Sequence, residues 1–226
     1  MHRSFPVWPV SGGAAMVSEG LRMKDARFSL LYRHVESFFL DRLPESLHYH
    51  CSEHSLVDVL GAVRWLAQSH YLDADQSQLA EVSAVLHDIG YLRRYDNNEV
   101  IAARYAERWL PYFGYTPQEA LCVAELIRAT AMPQQPQTLL QQILCDADLD
   151  GLGCATYWQQ AIRLRWELEA QGRYYTWQHW LEYHHTFLKK HRYFTPAAKM
   201  MRDVGKRENL RFIETKINEF RYFSLF

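Results

Sequence analysis

The sequence predicts an all-α fold, a single-domain helical bundle, on three observations. Apolar residues recur at helical spacing through most of the chain after residue 23, strand-like alternation is almost absent, and the breakers fall between the apolar runs. With 226 residues the chain is long enough to bury a substantial core, and nothing in its composition demands a second domain. Helices are expected near 25–43, 53–69, 75–90, 98–110, 117–130 and 137–149, followed by three longer ones. Pro44, Gly90, Pro111, Gly114, Pro117, Pro133, Pro136, Gly151, Gly153, Gly172 and Pro196 separate these spans. Short connections imply antiparallel neighbours, an arrangement that lets side chains from several helices meet at the bundle centre.

Residues 1–22, MHRSFPVWPVSGGAAMVSEGLR, mix Pro, Gly and Ser without a helical or alternating period and lack the apolar run of a signal peptide. They are expected to be a flexible N-terminal tail, with the helical domain over 23–226. The helix near 53–69 carries its apolar stripe through Leu56, Val57, Leu60, Val63 and Ala67, which puts His54 at its N-terminal end. The helix near 75–90 ends in SAVLHDIGY, where His87 and Asp88 stand among Ala84, Val85, Leu86 and Ile89. A buried carboxylate must be matched by a cation, a basic side chain or several hydrogen bonds. The plain alternative is that Asp88 caps or pairs locally and His87 is a satisfied core histidine. In the helix near 137–149, LLQQILCDADLDGLG, three acids interrupt an apolar run: Asp146, Asp148 and Asp150. Two imidazoles and two carboxylates drawn from three helices make a mixed nitrogen and oxygen set suited to manganese, iron, nickel, cobalt, zinc or magnesium.

The order His54, His87-Asp88, Asp148 resembles the HD superfamily of metal-dependent phosphohydrolases, which takes its name from the dipeptide in LHDIG. The resemblance spans roughly residues 25–215 and includes YHCSEHSL, LCDADLDGLG and HRYFTPAA. It implies a helical bundle of the HD-domain type with His54, His87, Asp88 and Asp148 as ligands of one divalent metal ion. Asp146 competes for the last place, and Asp148 is preferred because it follows an alanine, Ala147, as the family's acid usually does. Members with two or three metals add histidines that YDNNEVIAARYAERW and LIRATAMPQQP lack, so a single metal is expected. Four ligands on an ion that prefers six leave places for water and substrate, which suits magnesium, manganese, cobalt or nickel better than closed tetrahedral zinc.

The resemblance implies hydrolysis of a phosphate ester of a small molecule, a nucleotide being the expected substrate. A bound metal lowers the pKa of water and polarises a phosphoryl oxygen. His87 and Asp88 are the expected catalytic residues, with the general base left open. Arg93 and Arg94, one turn beyond the ligand pair, and Arg128 in LIRAT are candidates to bind the phosphate, because guanidinium forks match its oxygens. The first two could equally be helix-end cations facing the dipole. Glu53 either orients a ligand histidine or is a first-turn acid, and the resemblance puts His50 and Glu99 near the same place.

A formal net charge of −1 gives no global basis for strong nucleic-acid binding or attraction to acidic membranes. No segment reaches the ~20 apolar residues of a membrane helix. Cys51, Cys122, Cys145 and Cys154 lack CxxC spacing and read as reduced thiols of a cytoplasmic protein. The last third carries Trp158, Trp166, Trp177 and Trp180 among arginines and histidines. These read as amphipathic helices with indoles packed inward, as a stacking platform for a base, or as the seam of a homodimer. His184, His185 and His191 read as surface residues, with His191 and Arg192 bordering the substrate opening, and Thr195-Pro196 as a helix start. A reading of another class stays open: a non-catalytic helical regulatory module that binds metal or nucleotide.

Overall fold

The computed structural model describes residues 26–223, with side chains through residue 220; the tail expected over 1–22 lies outside the described residues. Every regular element among the described residues is helical. Helix α1 is Ala26–Arg42; a π-helical turn, His54–Val59, runs directly into α2, Leu60–Ser69. Next come α3, Ala74–Leu86, a 3₁₀ turn, Ile89–Leu92, and α4, Asn98–Trp109. Then α5, Pro117–Arg128, and α6, Leu139–Asp148, follow. A 3₁₀ turn, Asp150–Gly153, leads to α7, Tyr157–Ala170, α8, Trp177–Lys190, and α9, Pro196–Phe223.

Local chemistry sets several of these boundaries. Asp73 accepts from Gln76 N at 2.8 Å to start α3. Thr116 with Glu119 and Thr138 with Gln141 form capping boxes for α5 and α6, with Pro117 in the first turn of α5. Thr195 Oγ1 accepts from Ala198 N at 3.2 Å to start α9, as the Thr-Pro pair predicts.

Helix α3 is the centre of the bundle, with α1, α2, α4, α5 and α6 all packed on it. Its end is apolar on every side, and residues 82–90 are all buried, as a helix enclosed by neighbours requires. His87 and Asp88 therefore leave α3 inside the core. The close packing extends past them: a Cβ on Gly90 would stand 1.9 Å from Asn98 O, so only glycine lets α4 begin there. One contiguous cluster of buried residues runs from Phe28 and Leu31 on α1 to Ile213 and Ile217 on α9.

The C-terminal helices close over this core. Helix α9 packs on α8 and on the Asp150–Gly153 turn. Arg202 reaches back to that turn, with Nε and Nη2 each 2.6 Å from a carboxylate oxygen of Asp150. Asn209 donates to Leu152 O and Cys154 O, both at 2.9 Å. The α6 terminus is thereby fixed from outside.

The aromatic last third divides between interior and surface. Trp180 is fully buried, whereas Trp166 and Trp177 are exposed, and Trp177 carries the Arg165 guanidinium over its ring at 3.8 Å. His184 is not a surface residue: it is buried against Trp180 and Tyr157. His191 is half-buried beside Lys206, and His185 pairs with Glu214 at 3.3 Å.

Candidate metal centre and cleft

Three elements bring four side chains to one point. The π-helical turn carries His54 in its first position, a widened winding that recurs at functional sites. The end of α3 supplies His87 and Asp88, and the last residue of α6 is Asp148. Ligand atoms of His54, His87 and Asp148 lie within 4.8 Å of one another. Asp148 Oδ1 is 3.6 Å from His54 Nε2 and 3.5 Å from His87 Nε2. Asp88 Oδ2 is 3.6 and 3.1 Å from the same two nitrogens.

The donor atoms themselves test whether a metal fits. His54 Nε2, His87 Nε2 and Asp88 Oδ2 are buried with no hydrogen-bond partner. Each orphaned polar atom costs about 1–3 kcal/mol, a cost that a cation lodged among the three would offset. The rest of each side chain is arranged to leave those atoms free. His87 Nδ1 lies 2.8 Å from Ala84 O; a carbonyl only accepts, so Nδ1 carries a proton, and Nε2 is the nitrogen that would give up its proton to a metal. Asp148 Oδ2 accepts from Gln134 Nε2 at 3.1 Å, turning Oδ1 toward the histidines. Burial opposes charge on His87, but Asp88 and Asp148 outweigh it and set its pKa well above the usual histidine value. Burial also opposes ionisation of Asp148, which its contacts with His54 and His87 nevertheless hold below the usual range. The field at this point favours positive charge.

Asp146 serves elsewhere. Its carboxylate accepts from Phe194 N at 2.7 Å and Thr195 N at 2.8 Å, tying the start of α9 to α6.

Asp88 and Asp148 also line a cleft of about 540 Å³. Its wall includes His50, Tyr91, Tyr95, Glu99, Arg173 and Phe187. Glu167 of α7, fully buried, anchors one side. It accepts from Tyr49 N at 2.9 Å, His50 N at 3.0 Å and Tyr95 Oη at 2.9 Å, and it pairs with His50 Nδ1.

The arginines expected beside the metal are placed away from this cleft. Arg93 donates to Tyr105 Oη at 3.1 Å and Arg94 to Asn97 O at 3.4 Å, both exposed. Arg128 pairs with Glu107 on the surface. The guanidinium in the cleft wall is Arg173, held by Asp96 at 2.5 and 2.6 Å, and no local pattern in the sequence marks it. Glu53 pairs with Arg163 at 2.9 Å and so does not orient His54. Glu167 carried no periodic signal either: six residues beyond Ala161 and ten beyond Tyr157, it lies about 80–120° round α7 from those buried residues.

The helical order and the buried histidine and aspartate group define the class: an all-α fold of the HD type. A crystal structure at 1.45 Å, described as a predicted HD superfamily hydrolase from an uncultured Thermotogales bacterium, is similar with a TM-score of 0.61. The match covers 89% of this chain and 97% of that one. At 19% identity the likeness is one of fold. No protein-family model matches the sequence, and no curated protein does. Among the described residues no helix is long and apolar enough to cross a membrane.

Proposed function

We propose that this protein is a metal-dependent hydrolase that cleaves a phosphate ester of a small molecule, a nucleotide being the preferred substrate. One observation carries the reading: three orphaned donor atoms, His54 Nε2, His87 Nε2 and Asp88 Oδ2, gather with Asp148 at the edge of an open cleft. A purely structural ion would be enclosed, whereas these ligands adjoin space for substrate. His54, His87, Asp88 and Asp148 would hold one divalent ion. Once bound, it would activate water and polarise a phosphoryl oxygen. The protein's own groups do the rest. Arg173 supplies positive charge in the wall for the phosphate, and Tyr91, Tyr95 and Phe187 offer ring faces for an aromatic base.

The test is metal content of the purified chain together with phosphate release from a nucleotide panel. Manganese, cobalt, nickel or magnesium is added in turn, with Asp88→Ala as control. The expected result is one bound ion per chain and release that Asp88→Ala abolishes. Bound metal without turnover on any substrate would support the regulatory module instead, and absence of metal would remove the site.

A further inference from the structure

The covering helices also reach the cleft, and they bring to it a polar pair that the metal site does not use. Tyr157, the first residue of α7, and His184, in the middle of α8, both line the cleft. Each residue keeps only 4% of its surface exposed. Tyr157 Oη and His184 Nδ1 are hydrogen-bonded to each other. The rest of the imidazole lies among rings, with Trp180 at 4.3 Å, Tyr183 at 5.3 Å and Trp158 at 6.4 Å between centroids. His184 Nε2 is buried with no hydrogen-bond partner.

Counting protons shows what this pair has left to give. An uncharged imidazole and a phenol hold two polar hydrogens between them, one N–H and one O–H, and the bond between Nδ1 and Oη uses one. If Oη donates, the ring proton sits on Nε2 without an acceptor; if Nδ1 donates, the phenol proton is the one left over. Either tautomer leaves one unspent donor, and protonating the ring would add a donor, not remove one. A buried donor without an acceptor is costly and rare. An apolar pair would join α7 to α8 without leaving any donor over.

The surroundings define what the donor would meet. Tyr183 and Phe187 flank His184 on α8 and line the cleft with it, their ring planes only 6° apart. Leu164 and Leu168 of α7 line the same cleft. An anionic oxygen among such walls would need a cation beside it, and burial brings His184 down to about 4, so the pair supplies none at neutral pH. An uncharged ring carbonyl or ring nitrogen asks only for a donor.

Resting on the hydrolase reading above, we propose that the Tyr157–His184 pair is a subsite for the organic part of the substrate, donating one hydrogen bond to an uncharged acceptor on a flat ring, the ring carbonyl or ring nitrogen of a nucleobase. The pair would separate nucleoside phosphates from sugar phosphates. It does not touch the phosphoryl group, so its loss is read in KM and not in kcat.

The test uses the full chain loaded with manganese, comparing wild type with His184→Phe and His184→Gln. Phosphate release is followed from the monophosphates of adenosine, guanosine, cytidine and uridine and from ribose 5-phosphate, and the four free nucleosides are titrated by calorimetry. Metal content checks that each variant keeps its site. His184→Phe is expected to raise KM for the best nucleoside monophosphate by about tenfold, the scale of one hydrogen bond between uncharged partners, with kcat and the KM for ribose 5-phosphate unchanged. His184→Gln should keep most of the affinity, because its amide oxygen accepts from Tyr157 while its N–H donates to the ligand. A His184→Phe protein with wild-type KM would mean that the spare donor serves a buried water, and an equal rise for ribose 5-phosphate would mean a general distortion; each would overturn the inference. If His184→Phe does not fold, wild type decides: ribose 5-phosphate used as well as any nucleotide, with no nucleoside bound, would overturn the subsite and leave the hydrolase standing. Nucleoside binding that depends on His184 in a protein without turnover would support the subsite and sink the hydrolase reading.

Discussion

Asp146, Asp148 and Asp150 leave the end of one helix in three directions. Asp146 turns to the backbone of Phe194 and Thr195, Asp148 to the two histidines, and Asp150 to Arg202. Two-residue steps on a helix rotate a side chain by about 200°, so neighbouring acids at this spacing serve different partners. This separates two substitutions that look alike in sequence. Asp148→Asn should weaken metal binding by at least about tenfold, the smaller end of what even an outer-shell change does, while leaving the melting behaviour of the metal-free protein nearly intact. Asp146→Asn should keep the metal and lose about 1–3 kcal/mol of stability, because an amide leaves one of two buried backbone N–H groups without its acceptor. Titration calorimetry and urea midpoints measure the two quantities. The reverse pattern, metal lost only in Asp146→Asn, would exchange the assignments.

Elements were far more legible than orientations. The apolar spacing located the helices, and Thr195-Pro196 marked the start of α9 because cap chemistry is local. The π-helical winding at His54 was not legible, since a widened turn leaves the same apolar residues inward. Arg93 and Arg94 follow the HD pair in sequence, but the Ile89–Leu92 turn carries them out to solvent. Arg173 arrives from a distant connection by tertiary packing alone. His184 did carry a signal: it lies four residues from both Trp180 and Leu188, on the buried stripe of α8, though polar neighbours masked it. Element packing also yields a prediction of counterintuitive sign. Gly205 lies within α9, where alanine would ordinarily add up to about 1 kcal/mol. Here its Cβ would stand 2.1 Å from Gly153 O, backbone against side chain with no rotamer to escape. Gly205→Ala should therefore destabilise by about 1–3 kcal/mol and loosen the turn that follows Asp148, lowering metal retention. A urea midpoint and metal content equal to wild type would show that α9 does not clamp the site.

At the scale of the whole molecule, the core that carries His54, His87, Asp88 and Asp148 is covered by a layer, α7 to α9, that buries neutral histidines. Burial lowers the His184 pKa from 6.5 to about 4. Burial, aided by Lys206 and Arg192, brings His191 to about 4 as well. Between these values the unfolded chain takes up protons that the folded chain refuses, so stability is greatest above pH 6.5 and falls as pH drops toward 4. For one such histidine the loss between pH 7 and pH 5 is about 2 kcal/mol. The proposed metal ligands also gain protons in acid, which would obscure the effect in wild type alone. The His184→Gln variant isolates it: glutamine keeps a polar group near Tyr157 but does not titrate, and the ligand contribution is common to both proteins. Urea unfolding in chelator at pH 7 and pH 5 should show wild type losing about 2 kcal/mol more than His184→Gln. Equal losses would mean that His184 accepts its proton while folded, and that acid opens the molecule at the metal centre instead of through the covering helices.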